Sequence, residues 1–205
     1  MNKELFLIGD PFCGTGAHYL DHCSQQLIKF LGPAKKGEII VYVNAEETDA
    51  VGLPSDKAEH FFSKIGYSVI PIEEVVKSKT LLFQPEVKAF FVEGNDIYNL
   101  VRFLKQRDIF DTIANLVMNG QKKYIGIKDG VLIACPFIFQ GSISMTIPWA
   151  VEGLNLVDFQ IHQNYEVKPD ESIARWFRKF YDLPLCYLSK SNWLRVAGGE
   201  VIQGG

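Results

Sequence analysis

Cysteine is scarce in this chain: four residues among 205, Cys13, Cys23, Cys135 and Cys186, with no Cys-x-x-Cys pair. A disulfide scaffold and a dithiol redox motif are excluded, and reduced thiols are expected. Long apolar runs are missing too. The longest, Val131 to Phe139, is interrupted by Pro136 and falls well short of the roughly 20 residues that cross a bilayer. The opening stretch from Met1 to Asp10 has too short an apolar segment for a signal peptide and runs directly into a strand-like segment, so a cytoplasmic location is expected. Positive charge is in deficit, with 21 Lys and Arg against 24 Asp and Glu and a net charge of -3. No polycation is available for phosphates or anionic lipid, and neither nucleic acid nor membrane is expected as a partner. Linkers, internal repeats and low-complexity tracts are also absent, so residues 1–205 are expected to form one domain.

What the chain does have is apolar substance: 47% hydrophobic and 13% aromatic residues, enough to offset chain entropy in a globular core. Short β-rich runs at Leu5–Ile8, Ile39–Val43, Ala89–Val92 and Lys123–Ile127 alternate with segments of helical spacing. Helices are expected at His18–Leu31, Ser55–Ile65 with Ser55 as N-cap, Asp96–Leu104, Asp108–Met118, Val131–Phe139 and Glu171–Asp182. The strand runs lack polar alternation, as strands buried on both faces do, which predicts an α/β fold with a mostly parallel central sheet flanked by helices. Towards the end, Leu185–Leu188 reads as an edge strand, and Trp193–Val196 with Glu200–Ile202 as a hairpin turning at Gly198-Gly199.

The most informative stretch is Lys123 to Pro136, where a strand meets a helix through Gly126-Ile-Lys128-Asp-Gly130. Two glycines flanking a central residue permit a tight strand-to-helix turn that projects that residue over the carboxyl edge of the sheet, as in the Gly-x-Ser-x-Gly nucleophile elbow. Lys128 occupies the nucleophile slot.

With these residues the chain resembles the peptidase E family, aspartyl dipeptidases that are serine peptidases on a fold similar to the class I glutamine amidotransferases. The resemblance covers most of the chain. It rests on Phe91-Val-Glu-Gly-Asn95, similar to the family's Gly-Gly-Gly-Asn turn, and on Tyr124-Ile-Gly126 followed by Ala134-Cys-Pro136. Phe159-Gln-Ile161 with Tyr165, and Ser191-Asn-Trp193 leading to Gly204-Gly205, extend it.

The resemblance also implies departures at all three triad positions. The family's Gly-x-Ser-Ala-Gly elbow lays its serine on Lys128. Its Phe-x-Gln-Ile/Leu-Asn-Pro-His segment lays the base histidine on Asn164, with His162 falling two residues early as a candidate substitute. Its Asn-Asp-Met-Pro-like segment lays the supporting acid on Ser144, before Met145. Acyl transfer needs a nucleophile that forms a breakable ester, a base within reach of its proton, and an acid that orients the base. A lysine attacking a peptide would yield another amide, as hard to hydrolyse as the substrate.

The candidate ligand-binding residues are Gly94, Asn95, Lys128, Asp129 and Gly130. Lys128 is either a solvated turn residue or an ammonium that holds a carboxylate or phosphate; a Schiff base has only the lysine itself in its favour. His162 reads either as a replacement base or as a locally satisfied histidine. Asp129 pairs with Lys128 or caps the helix, and Glu93, which replaces a glycine of the family turn, blocks an anionic substrate or pairs with Lys128. Cys135 reads as buried packing. His18 and His22, at helical spacing beside Asp21, Cys23 and Cys13, read as helix surface, because a structural metal needs four ligands. Gly14-Thr-Gly16 lacks the third glycine of a dinucleotide loop, and Phe61, Phe62, Trp176, Phe177 and Phe180 read as core. No cofactor and no metal are expected.

The expected function is therefore a peptidase E-like protein that has lost serine-peptidase turnover and binds a small acidic ligand or aspartyl peptide. The alternative is an intracellular peptidase cleaving aspartyl peptides with a rebuilt group, with Ser142, Ser144 and His162 as candidates. A third reading is a structural subunit of an oligomer, such as a homodimer.

Overall fold

The computed structural model describes residues 3–13, 18–44, 55–94, 96–139, 150–163, 179 and 181–205. Five parallel strands make up most of a seven-stranded sheet: β1 (Glu4–Ile8), β2 (Ile39–Val43), β3 (Ser68–Pro71, at one edge), β4 (Val87–Gly94) and β5 (Lys123–Lys128). Two short ladders follow in the chain, β6 (Phe137–Phe139) antiparallel to β7 (Ala150–Glu152), and β8 (Gln160–Gln163) parallel to β9 (Leu185–Leu188). The terminal hairpin, β10 (Trp193–Ala197) and β11 (Glu200–Gly204), joins the main sheet antiparallel to β1, giving the order β11-β10-β1-β5-β4-β2-β3.

Side-chain alternation along the central strands explains why their sequences are apolar throughout. Leu5 and Leu7 of β1, Val41 and Val43 of β2, and Phe90 and Val92 of β4 feed one core. The residues between them, Phe6 and Ile8, Ile40 and Tyr42, Ala89 and Phe91, feed another on the opposite face. The first core is covered by α3 (Ile72–Val76), α4 (Ile97–Gln106), α5 (Phe110–Met118) and α6 (Asp129–Ile133). The second is covered by α1 (Ser24–Leu31) and α2 (Asp56–Lys64). The chain is thus an α/β domain with a mostly parallel sheet between helices, and β1, β2, β4 and β5 are buried on both faces.

Local chemistry sets the helix starts. Ser55 caps α2, its Oγ accepting from Ala58 N at 3.3 Å, and Asp96 caps α4, its carboxylate accepting from Tyr98 N and Asn99 N, each at 3.0 Å.

Several expectations are corrected. The segment Val131–Phe139 is not one helix: α6 stops at Ile133, and Phe137–Phe139 is a strand. Pro136 offers no N–H and biases Cys135 away from helical geometry. The incoming 153–156 segment takes the carbonyls a longer helix would have used, with Leu154 N donating to Ile133 O at 2.7 Å and Leu156 N to Ala134 O at 2.8 Å. The helix expected from His18 begins only at Ser24, after a single 3-10 turn at Asp21–Cys23, because Leu20 sits at φ 63°. His18 and His22 therefore share no helix face. Leu185–Leu188 is a strand, but one paired with β8 outside the central sheet. The helix expected at Glu171–Asp182 lies almost wholly outside the described residues.

Candidate functional site

The site is built where β4 and β5 end side by side. Their register pairs Glu93 with Ile127 and Gly94 with Lys128, so the last residues of both strands reach the carboxyl edge together. At Lys128 the backbone turns abruptly, with φ 52° and ψ -119°, and α6 starts at the next residue. A non-glycine residue in this region is strained by about 1–3 kcal/mol and persists only where its surroundings dictate it.

Both flanking glycines supply that dictation. A Cβ on Gly126 would lie 2.5 Å from Gly130 O, and one on Gly130 would lie 1.9 Å from Val92 O. Tyr124, fully buried, donates its hydroxyl to Gly130 O at 2.6 Å, and Gln163 Nε2 donates to Lys128 O at 2.9 Å from β8. This is the geometry of a nucleophile elbow, with an amine at its apex.

Lys128 faces a carboxylate. Its Nζ lies 3.8 Å from Glu93 Oε1, while the other oxygen of Glu93 accepts from Tyr19 OH and Tyr42 OH, each at 3.2 Å. Glu93 is buried, whereas the Lys128 side chain is 38% exposed. The carboxylate is therefore held from inside by two phenols and meets the ammonium at its outer edge. Burial pushes both phenols up from their ordinary value, and the negative charge of Glu93 adds to this. Of the two roles foreseen for Glu93, the ion pair with Lys128 is the one present.

Asp129 is the first residue of α6, and its carboxyl packs over Gly94: a Cβ there would lie 3.4 Å from Asp129 Cβ. Its Oδ2 is buried without a hydrogen-bond partner. Burial, reinforced by the charge of Asp96 and opposed by Lys128, pushes its carboxyl up to about 6. Asp129 stands inside the helix and not at its cap; the N-cap position belongs to Lys128 itself.

Gly94, Lys128, Asp129 and Gly130 are thus brought together. His162 is placed differently. Alternation along β8 sets it on the face opposite Gln163, the residue that reaches the elbow, and its ring meets Tyr187, its cross-strand neighbour, edge-on at 6.0 Å. Burial lowers its pKa. Cys135 is fully buried, and burial pushes its thiol up to about 12, a packing residue. Asn95, Ser144, Asn164, Ser142, Tyr165 and the Gly14-Thr-Gly16 stretch lie outside the described residues. Tyr19, Tyr42 and Gln163 escaped the sequence reading, and Tyr124 entered it only as part of a family motif. Tyr42 and Tyr124 each left a signal, since a phenol inside an apolar strand needs a partner for its hydroxyl.

Comparison with known proteins agrees with the fold. A protein named peptidase E from Nostoc sp. is 35% identical over 167 residues, which cover 80% of this chain and 66% of the relative, just under two thirds of its length. A Drosophila melanogaster protein named as a probable alpha-aspartyl dipeptidase is 28% identical over 129 residues, covering 57% of this chain and 53% of that one. In fold, a Listeria monocytogenes EGD-e protein bearing the peptidase E name superposes with a TM-score of 0.68 at 20% identity, covering 100% of this chain and 98% of the other. The model of peptidase family S51 matches residues 5–204, the whole of the sheet and the elbow within it, and the chain belongs to that family.

Proposed function

We propose that this chain is a peptidase family S51 protein that has given up serine-peptidase turnover and uses the cleft at the elbow to bind a small acidic ligand or an aspartyl peptide. The observation that carries this reading is the amine at the elbow apex, held at the strained backbone where a nucleophile would stand. An amine there cannot form the ester that serine-type turnover requires, and an acyl-lysine would be as inert as the substrate. The orientation of His162 towards Tyr187 supports the same reading, because a base must reach the proton it removes. The 38% exposure of Lys128 lets solvent, and a carboxylate arriving from it, reach the ammonium. The substrate class is argued from the relatives, one of which carries an aspartyl dipeptidase name.

The test is hydrolysis of Asp-Leu and of an aspartyl anilide by the wild type, Lys128→Ala and His162→Ala, together with calorimetric titration of Asp-Leu into the wild type and Lys128→Ala. No turnover, with saturable binding weakened in Lys128→Ala, is expected. Wild-type turnover above that of either variant overturns the loss of activity. No binding of Asp-Leu or of any small anion overturns the ligand assignment.

A further inference from the structure

A cavity opens on the α1/α2 face of the sheet, and none of its lining residues belongs to the Gly126–Gly130 turn. It has a volume of about 740 Å3, within the range of small-molecule pockets. One wall carries Phe12, His18, Tyr19 and Asp21, from among the residues that follow β1; the other is α2.

The lining has two parts. Phe12, Tyr19 and Phe61 make an aromatic surface. Phe12 is 40% exposed, although it is packed edge-on against Tyr19 with ring centroids 5.4 Å apart. The floor is fixed, because the buried Tyr19 donates its hydroxyl to Glu93 on its far side. The second part is cationic. Lys57, His60, Phe61 and Lys64 recur at helical spacing and turn one face of α2 to the cavity. Lys57 Nζ stands 4.4 Å from the Phe12 ring centroid, which holds the ammonium at the mouth.

Neither Lys57 nor Lys64 takes part in an ion pair among the described residues. The two carboxylates in the lining have local duties: Asp21 Oδ2 accepts from His18 N at 3.3 Å, and Asp56 sits in the first turn of α2, where the helix dipole favours it. That leaves ammonium groups beside an exposed aromatic surface.

We infer that this cavity binds a small monocarboxylate with an aromatic or branched apolar body, the ring or alkyl group lying against Phe12, Tyr19 and Phe61 and the carboxylate meeting Lys57 and Lys64. The site is joined to the elbow through Tyr19 and Glu93 but takes its ligand on Phe12, Phe61 and α2, and it does not require that Lys128 bind or turn over anything. Such a carboxylate is presented both by a peptide ending in an apolar residue and by a free aryl or alkyl acid. N-acetyl-phenylalanine represents the first source and 3-phenylpropionate the second.

The experiment titrates N-acetyl-phenylalanine, 3-phenylpropionate and N-acetyl-phenylalanine amide into the full chain by calorimetry, with chemical-shift mapping by NMR. The variants are Lys57→Glu/Lys64→Glu and, as a charge-reversal control beside α3 on the opposite face of the sheet, Lys77→Glu. Both lysines of the charge-reversed variant are exposed, so the fold should tolerate the change. At least one acid should bind saturably and shift resonances of Phe12, Tyr19 and Phe61. Charge reversal on α2 should weaken it at least tenfold, and Lys77→Glu should change it less than twofold. If only N-acetyl-phenylalanine binds, the ligand is a peptide end; if 3-phenylpropionate binds as well, the carboxylate and the ring suffice. Equal binding of the amide, acid binding unaltered by charge reversal, or shifts confined to the elbow would each overturn the assignment. So would the absence of binding by both acids.

Discussion

Glu73, in the first turn of α3, has both carboxyl oxygens buried and no hydrogen-bond partner outside its own residue. Burial pushes its carboxyl up to about 7, with only its own backbone N–H and the charge of Arg107 acting the other way. A folded-state pKa above the unfolded one means that the native state binds the proton more tightly. The protonated side chain therefore stabilises the fold fully below the unfolded value, and this contribution is lost as pH rises through about 7. Integrated across that window, at about 1.4 kcal/mol per unit, the loss is at most about 3.5 kcal/mol, and solvent screening of a half-buried side chain brings it to about 2–3 kcal/mol. Glu73→Gln keeps the shape and removes the titration. Other groups titrate nearby, notably Asp129 at about 6, but they are common to both proteins and cancel in the difference. Urea unfolding of the wild type and Glu73→Gln from pH 4.5 to 8 is the assay. The variant should gain on the wild type steadily with pH, by about 2–3 kcal/mol in total, levelling off above the folded pKa. Parallel stability curves would refute the burial argument, and a gap widening towards low pH would reverse its sign.

Gly130→Ala should destabilise the protein by about 3 kcal/mol or more, because its Cβ would lie 1.9 Å from Val92 O and neither backbone can give way. Gly198→Ala, at φ 59° with nothing within 4 Å, should cost only the conformational strain of about 1–2 kcal/mol; equal denaturation midpoints for the two variants would contradict the steric argument. Tyr19→Phe and Tyr42→Phe should each cost about 1–2 kcal/mol in urea unfolding. Because both hydroxyls donate to the same oxygen of Glu93, the double variant should cost more than the sum, leaving a buried carboxylate with no phenol. Strict additivity would mean that the two bonds are independent.

The central strands were legible because burial on both faces leaves a local mark: an uninterrupted apolar run. β3 leaves none, since it lies at the sheet edge, exposes Ser68 and ends on Pro71, which an edge tolerates. β6, β7 and β8 are three or four residues long and exist through partners 11 to 25 positions away, which no local window sees. The apolar run at Val131–Phe139 was ambiguous for the reason such runs generally are: a buried helix turn and a buried strand have the same composition. Pro136 marks the break, and the crossing segment at Gly153–Leu156 decides on which side each structure falls.

The site divides along the same line. The elbow was readable because its requirement is steric and local, two glycines spaced around one residue. The partners of the apex were not, because Tyr19, Tyr42 and Gln163 arrive from three different parts of the chain. This division bears on why the strained turn persists under a lysine. The contacts that force φ 52° at Lys128 are backbone contacts: Gly130 against Val92 O, Gly126 against Gly130 O, and the Tyr124 hydroxyl on Gly130 O. None of them involves the side chain at the apex. A serine could therefore be exchanged for a lysine there without relaxing the turn, whereas either glycine could not be exchanged without breaking it. The side chain that does respond to the apex residue is Glu93, whose position beside the last pair of the β4–β5 ladder puts a carboxylate within 3.8 Å of whatever cation stands at Lys128. With a neutral side chain there, Glu93 would keep its two phenols but lose its counter-charge, and the cost of burying it would rise. Lysine and glutamate at these two positions are thus a matched set, and the elbow beneath them is indifferent to both.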